Sequence, residues 1–211
     1  ALSGAPLESK GKLAALARPF LDAVAEPTAT PGGGSASALA GALAACLGQM
    51  VAGLSRKKKS QAAYVESLSA SIAELHASGQ ALAEAIDRDA ASFEEVMAAM
   101  KLPKETSAEQ KQREEAIQQA TRRAAEVPMQ VAEWAVSVYE RLGQLEAVAA
   151  ASMMSDLKVG RLMATAGARG ALENVAINLE GIADPAFVKR MQERTAQLEA
   201  RLSSSPVPAS R

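Results

Sequence analysis

The stretch that decides the fold is Thr30-Pro31-Gly32-Gly33-Gly34-Ser35, followed directly by ASALAGALAACLGQMVAGLS at residues 36–55. No charged residue stands between Glu26 and Arg56. The proline and the glycines predict a tight loop with unobstructed backbone N–H groups, and Ser35 is the predicted N-cap of a long helix. Such a loop at a helix N-terminus suits an anionic or carbonyl group of a ligand. A loop that only lets two helices cross closely is the alternative interpretation.

Two stripes of side chains run along this predicted helix. Small residues form one stripe: Gly41, Ala45, Gly48 and Ala52. Larger apolar residues form the other: Leu39, Leu43, Met50 and Leu54. The small stripe allows a neighbouring backbone to approach closely, and the larger stripe is predicted to fill a core. The helix is therefore expected to be central or to lie at an interface. A membrane span is the competing interpretation, which the many alanines and Gln49 disfavour.

Composition favours a single all-α domain. The chain has 211 residues, 48% of them hydrophobic but only 3% aromatic, and this balance favours helix over sheet. The net charge of −1 gives no overall preference for nucleic acid or an anionic membrane. The single cysteine, Cys46, excludes an internal disulfide and is expected to be buried, and the single His76 excludes multi-histidine metal sites. No convincing signal peptide begins the chain, so a cytoplasmic protein is expected.

Hydrophobic periodicity predicts an up-and-down antiparallel helical bundle. The expected helices cover residues 7–26, 36–55, 62–101, 107–142, 145–179 and 185–202. In the first helix the side chains predicted to point inward are Leu13, Leu16, Phe20 and Val24. Residues 1–203 are taken as one domain, and residues 204–211 as a disordered tail.

Helix ends have their own signals. Thr106 or Ser107 is positioned to cap the fourth helix, and Pro128 is expected to interrupt it. Asp184 is the predicted cap of the last helix, with Pro185 at its first position. The basic residues after Ser55 suit the negative end of the preceding helix.

One carboxyl breaks an apolar seam in the third helix. The seam reads Val65, Leu68, Ile72, Leu75, Gly79, Leu82, Ile86, Asp89, Phe93, Val96 and Met100, in steps of three and four. A buried carboxyl is costly unless it is paired, hydrogen-bonded or protonated. With its pKa raised by burial, Asp89 is suited to act as a general acid or base. The alternative is a structural carboxylate bonded to an arginine or to a helix cap.

The fifth helix carries a stripe of glycines and polar residues. Its members are Asp156, Gly160, Met163, Gly167, Gly170, Asn174 and Asn178. This face suits either a close helix crossing with buried hydrogen bonds or a groove that receives a flat polar ligand. The sequence leaves both interpretations open.

Taken together, these segments resemble the cyclodeaminase/cyclohydrolase family of folate one-carbon enzymes. This family includes the C-terminal domain of formiminotransferase-cyclodeaminase and stand-alone bacterial methenyltetrahydrofolate cyclohydrolases. The matching segments are Pro31-Gly32-Gly33-Gly34-Ser35, Asp89-Ala90-Ala91-Ser92-Phe93, Lys101-Leu102-Pro103-Lys104, Val127-Pro128, Ser155-Asp156 and Asn174-Val175 with Asn178. No single segment is specific, whereas their order from about residue 15 to about residue 200 is.

The resemblance implies an all-α bundle that works as a homodimer, with a tetrahydrofolate site near the subunit interface. It assigns Asp89 as the catalytic residue. It implies that the substrate-binding residues are Pro31, Gly32, Gly33, Gly34 and Ser35, with Asp156 and Asn174 on the pocket wall. It also suggests that Lys57, Lys58 and Lys59 attract the glutamate tail of folate, although a charge run also suits a solvated helix end.

The implied reaction is the cyclodeamination of 5-formimidoyltetrahydrofolate to 5,10-methenyltetrahydrofolate and ammonia, and cyclohydrolysis of 5,10-methenyltetrahydrofolate is the alternative. No metal or redox cofactor is expected, only tetrahydrofolate as the carrier of the substrate. Family members usually have Gly-Asn where this chain has Ala149 and Ala150. That departure motivates a further alternative, an inactive dimeric interaction protein with the same fold.

Overall fold

The computed structural model describes residues 13–204, which form six α-helices and two short 3₁₀ helices and contain no β-strand over that range. The α-helices are α1 Ala14–Ala25, α2 Gly33–Arg56, α3 Val65–Met100, α4 Ser107–Leu145, α5 Met154–Leu179 and α6 Pro185–Ser204. The 3₁₀ helices are Lys59–Tyr64 and Ala151–Met153. The all-α prediction is confirmed. The predicted disordered tail lies outside the described residues except for Ser204, which is the last residue of α6.

Four helices, α2 to α5, form the bundle. α2 and α4 each pack extensively against both α3 and α5, and α6 packs on α4 and α5. α2 and α5 run antiparallel, because Gly33 lies beside Asn174 at one end while Lys58 bonds Ser152 at the other. The bundle therefore has two distinct ends, and the end where α2 begins is called the glycine end below.

The small stripe of α2 is buried as predicted. A Cβ added at Gly41 would lie 3.1 Å from Leu82 Cδ2, and one added at Gly48 would lie 2.7 Å from Leu75 Cδ1. The glycines thus admit leucines of α3 into the centre of the bundle.

The larger stripe of α2 does not fill the core, and that prediction is wrong. Leu43, Met50 and Leu54 are 44%, 41% and 40% exposed, and Cys46 is exposed rather than buried. The core is filled instead from the opposite face, where alanines and glycines meet the leucines of α3 and α4. Among the described helices, α2 alone is long and apolar enough to cross a membrane, and half of its most apolar window is buried inside the bundle.

The predicted caps are confirmed at two helices. Thr106 forms a capping box with Glu109 at the start of α4, and Asp184 Oδ1 accepts the backbone N–H groups of Ala186 and Phe187 at the start of α6.

Pro128 does not interrupt α4, contrary to prediction. Proline lacks the N–H that would bond the carbonyl four residues earlier, which is that of Ala124. Asn178 Nδ2 donates to that carbonyl at 2.7 Å. A side chain from α5 therefore replaces the missing backbone donor, and the helix continues.

Two other predictions are corrected. α1 buries none of its residues, and Leu13 and Leu16 are 75% and 68% exposed, so its apolar side does not face this chain's core. Residues 7–12 of that predicted helix lie outside the described residues. α5 begins at Met154, after a loop and a 3₁₀ turn, rather than at Leu145.

The seam of α3 rotates out of the core along the helix. Leu68, Leu75 and Leu82 are buried, but beyond Asp89 the buried positions are Ser92 and Ala99. Phe93 and Met100, which the seam assigned to the core, are exposed. The face of α3 that is buried therefore shifts along the helix, and a single seam does not describe its whole length.

Candidate active site

A cavity of about 320 Å³ opens at the glycine end of the bundle. The glycine loop and all four bundle helices form its walls: residues 29, 30 and 32–34, then Asp89, Ser92, Phe93 and Val96 of α3, Thr121 and Ala124 of α4, and Asn174, Ile177 and Asn178 of α5. All four bundle helices therefore meet here, and the cavity combines a polar side with an apolar side.

The glycine loop brings the N-terminus of α2 against Asp89. The N-cap residue is Gly32 and the helix begins at Gly33, so the prediction that Ser35 caps the helix is wrong. The first helical bond runs from Ala36 N–H to the Gly32 carbonyl, at 3.0 Å. The three preceding N–H groups thus have no partner within the helix, and the positive end of the helix dipole lies next to the carboxyl.

Gly34 is the glycine on which this approach depends. A Cβ added there would lie 2.5 Å from Asp89 Cγ and 2.6 Å from Oδ2, with Oδ1 nearer still. Any side chain at this position would displace the carboxyl. The tight loop therefore serves a carboxyl of the protein itself, in addition to any ligand group.

Ser35 is completely buried behind Asp89. Its hydroxyl donates to Asp89 Oδ2 at 2.9 Å and also lies 3.0 Å from the Ile86 carbonyl oxygen. Burial raises the pKa of Asp89 above its ordinary value, and the hydrogen bonds from the Ser35 hydroxyl and amide offset only part of that rise. Asp89 therefore takes up a proton more readily than an ordinary aspartate.

The interpretation of Asp89 as a carboxylate bonded to an arginine is contradicted. Across residues 13–204 no lysine or arginine forms an ion pair with it. Neighbouring arginines are engaged elsewhere: Arg88 bonds Gln130, and Arg123 pairs with Glu95. The other form of that alternative, a carboxylate at a helix cap, is supported, because the Ser35 amide in the first turn of α2 donates to the carboxyl. The raised pKa also fits the acid–base interpretation, in which burial tunes the proton affinity of the carboxyl.

The stripe of glycines and polar residues on α5 forms a close helix crossing in one part and a wall of the cavity in another. Both interpretations that the sequence left open therefore apply. A Cβ at Gly167 would lie 2.8 Å from the Ser37 carbonyl oxygen, so this part of the face is a close helix crossing. Asn174 faces the cavity beside Gly33, with its Nδ2 held by the Gly170 carbonyl at 2.8 Å. One wall of the cavity therefore presents a fixed amide.

Of the predicted site residues, Gly32, Gly33, Gly34, Asp89 and Asn174 line the cavity together. Two neighbours of this group do not line it. Ser35 is buried behind Asp89, and Pro31, which follows a cis peptide bond, lies outside the lining.

Lys57, Lys58 and Asp156 lie at the other end of the bundle. Asp156 and Asn174 are about 27 Å apart along α5, from the helical rise of about 1.5 Å per residue. Lys57 and Lys58 follow the far end of α2, and Lys58 Nζ donates to Ser152 Oγ at 2.7 Å. Within one chain these residues therefore do not line the cavity.

Ala149 and Ala150 belong to the same far end. Both are buried, and Ala150 N–H donates to the buried Ser55 Oγ at 3.0 Å. The departure from the family pattern thus lies far from Asp89 within the chain.

Sequence reasoning missed the apolar side of the cavity, formed by Phe93, Val96 and Ile177. Phe93 and Val96 had been assigned to the core seam, and only the rotation of α3 turns them toward the cavity. Ile177 is 61% exposed, and nothing in its local sequence distinguishes it. This side offers an apolar surface opposite the carboxyl and the amide, as a flat heterocycle requires.

Fold and cavity define a class: an all-α bundle with a half-buried carboxyl of raised pKa at a helix N-terminus, set in a cavity with one apolar wall. The sequence model of the family described as Formiminotransferase-cyclodeaminase matches residues 17–197. The chain belongs to that family.

Two curated relatives show how similar this chain is to known proteins. The chain is 37% identical over 196 residues to a Formimidoyltransferase-cyclodeaminase of Gallus gallus, covering 92% of this chain and 35% of that protein. It is 33% identical over 186 residues to a Methenyltetrahydrofolate cyclohydrolase of Methylorubrum extorquens, covering 88% of each. The chain thus spans about a third of the length of the Formimidoyltransferase-cyclodeaminases that it matches.

A solved structure has the same fold. The crystal structure of formiminotetrahydrofolate cyclodeaminase from Thermotoga maritima superimposes with a TM-score of 0.80 at 29% identity, covering 89% of this chain and 90% of that one. The bundle described here therefore has the fold of that formiminotetrahydrofolate cyclodeaminase.

Proposed function

We propose that this chain is a folate one-carbon enzyme that converts 5-formimidoyltetrahydrofolate to 5,10-methenyltetrahydrofolate and ammonia. The observation that carries the proposal is Asp89, whose pKa is raised by burial and whose carboxyl lies at the cavity without a charged partner. The relatives named as cyclodeaminases support it.

The reaction needs a group that takes a proton and then returns it. The N10 nitrogen of the folate attacks the carbon of the protonated formimidoyl group, and a C–N bond forms. The Asp89 carboxylate removes the proton that N10 then carries, and the resulting carboxylic acid protonates the departing nitrogen. The bond from carbon to that nitrogen breaks, ammonia leaves, and the ring is closed as the methenyl cation. A carboxyl with a pKa shifted toward neutrality performs both transfers efficiently.

The cavity walls suit the rest of such a substrate. Phe93 and Ile177 provide an apolar face for a flat pterin ring, and Asn174 provides an amide that can bond its polar edge. The N-terminus of α2 adds a positive field, which favours the carboxylate form of Asp89 that begins and ends each turnover.

We also propose that the chain works as a homodimer. The exposed Leu43, Met50 and Leu54 form an apolar face on α2, and Val159 and Leu162 are exposed on α5. Apolar faces of this kind are typical of protein interfaces. A two-fold axis across the middle of α2 would set the glycine end of one copy beside the far end of the other, where Lys58 and Asp156 lie. The predicted substrate-binding residues that one chain separates would then meet across the interface.

Light scattering after size-exclusion chromatography tests the dimer. The wild type should have twice the 21.8 kDa of one chain. Leu43→Glu and Met50→Glu should be monomers, because each places a charge in the apolar face. Gln197→Glu adds the same charge on α6 and should leave the dimer intact. A monomeric wild type would contradict the proposal.

Cyclohydrolysis is the second candidate, since the Methylorubrum extorquens relative matches along 88% of both chains and is named for that reaction. There water attacks the methenyl carbon and the ring opens to 10-formyltetrahydrofolate. In this reaction the Asp89 carboxylate would stabilise the cation and direct the water.

The methenyltetrahydrofolate chromophore distinguishes the candidates. Purified protein is given 5-formimidoyltetrahydrofolate in one cuvette and 5,10-methenyltetrahydrofolate in the other, with protein-free buffer as the control for spontaneous change. Appearance of the chromophore in the first supports the cyclodeaminase. Accelerated loss in the second, without activity in the first, supports the cyclohydrolase. No acceleration in either would contradict both and leave the inactive interaction protein.

A further inference from the structure

The buried Ser35 hydroxyl has one proton and two acceptors within reach. Asp89 Oδ2 is 2.9 Å away and the Ile86 carbonyl oxygen is 3.0 Å away. A hydroxyl donates a single hydrogen bond, so only one of the two acceptors receives a full hydrogen bond at any moment. Because Ser35 does not line the cavity, substrate cannot compete for this hydroxyl.

We propose that Ser35 is the positioning residue for Asp89: its hydroxyl donates to the carboxylate while Asp89 is charged and turns to the Ile86 carbonyl when Asp89 is protonated. The inference rests on the proposed function, in which Asp89 gains and loses a proton in each turnover.

Both protonation states remain satisfied in this arrangement. The charged carboxylate is the stronger acceptor and draws the hydroxyl, and the bond also fixes Oδ2 inward so that Oδ1 is available to substrate. The protonated carboxyl accepts more weakly, and the hydroxyl then has the Ile86 carbonyl as its partner. No buried donor is left unpaired in either state, which avoids a desolvation penalty during catalysis.

No charged group competes with Ser35 for control of Asp89. From α2 Gly34 and Ser35 contact the carboxyl, and the cavity residues of α4 and α5 are neutral: Thr121, Ala124, Asn174, Ile177 and Asn178. On α3 itself, Ser92 donates to the backbone carbonyl of Asp89 at 2.8 Å rather than to its carboxyl. Burial and the two groups of Ser35 are accordingly the causes of the altered pKa of Asp89.

The test compares pH–rate profiles of the wild type, Ser35→Ala and a matched control, Ser71→Ala. Ser71 is a buried serine on α3 that bonds its own helix at the Ser67 carbonyl, far along the helix from Asp89. In Ser35→Ala the carboxylate loses its donor, so the acid limb should move up by about one pH unit. The value of kcat at neutral pH should fall about tenfold while KM changes less than about twofold. Ser71→Ala should keep the wild-type profile.

A titration without substrate separates this inference from the proposed function. The chain has five aspartates, so the Asp89 carboxyl can be followed by NMR after selective carbon-13 labelling, with Asp89→Asn to assign the signal. Its midpoint should rise in Ser35→Ala, even if the enzyme has another substrate. If Ser35→Ala does not fold, Ser35→Cys keeps the size with a weak donor and should shift in the same direction. A midpoint and an acid limb identical to wild type would overturn the inference.

Discussion

Replacing Gly34 with alanine places a methyl group where the Asp89 carboxyl now lies. The added Cβ would be 2.5 Å from Asp89 Cγ, whereas ordinary contacts of a Cβ begin near 3.4 Å. The carboxyl must therefore withdraw by about 1 Å and lose its alignment with Ser35. A misplacement of about 1 Å in a catalytic group costs about 100-fold in rate. We expect kcat to fall by that factor.

Folding should survive the same substitution. The group that moves is the end of a flexible side chain, and alanine favours a helix over glycine by up to about 1 kcal/mol. The free energy of unfolding, measured with urea, should therefore change by no more than about 1 kcal/mol. The assay is chromophore formation, run beside circular dichroism of the same preparation.

Gly143→Ala is the matched control. An added Cβ there meets Arg161 Cζ at 3.6 Å, an ordinary contact, in a helix far from Asp89. It should keep the wild-type kcat. Wild-type kcat in Gly34→Ala would refute the reasoning, because catalysis would then not depend on the position of the Asp89 carboxyl at the start of α2.

Three further perturbations test the scaffold. Gly167→Ala would set a Cβ 2.8 Å from backbone of α2, and in urea it should lose about 1–3 kcal/mol of unfolding free energy. Asn178→Ala removes the donor to the Ala124 carbonyl and should cost about 1–3 kcal/mol. That loss should shrink in a Pro128→Ala background, where the restored N–H takes over; an equal loss in both backgrounds would contradict the account. The backbone N–H of Phe187 lowers the pKa of Asp184, so its contribution to stability is present above the ordinary value of 3.8 and is lost as pH falls through the lowered pKa. Asp184→Asn keeps an N-cap that does not titrate, so thermal unfolding below pH 4 should depend less on pH than in the wild type, and an unchanged dependence would count against this cap.

Most of the fold could be predicted from sequence, because caps and helix breakers are local. Thr106, Asp184 and the break at residues 101–104 each act through their own neighbours, and each prediction is confirmed. The prediction that Pro128 interrupts the helix was wrong because the side chain that replaces its missing N–H, Asn178, is 50 residues away in sequence. The predictions for α1 and for the leucines of α2 were wrong for a different reason. Periodicity identifies an apolar face, but it does not identify what packs against that face.

Part of the candidate site could be predicted in the same way. Asp89 was conspicuous because a carboxyl interrupts an apolar seam, and the glycines because they begin an uncharged helix. The contact between them could not be predicted, since it depends on how α2 and α3 cross. Phe93 lines the cavity rather than the core because the buried face of α3 shifts along the helix, and that shift depends on how the neighbouring helices pack. Lys58 and Asp156 remain predicted substrate-binding residues, and their contribution depends on a second copy of the chain.

Proton transfer by Asp89 is the central claim, and Asp89→Asn tests it most directly. Asparagine keeps the shape and can still accept the Ser35 hydroxyl, but it cannot take up a proton. Since burial raises the pKa of Asp89, its stabilising contribution is present below the ordinary pKa and is lost as pH rises through the raised one. The variant should therefore be no less stable than the wild type at neutral pH. Formation of the methenyltetrahydrofolate chromophore from 5-formimidoyltetrahydrofolate should fall by about 100-fold or more. A folded Asp89→Asn protein with the wild-type rate would contradict the account.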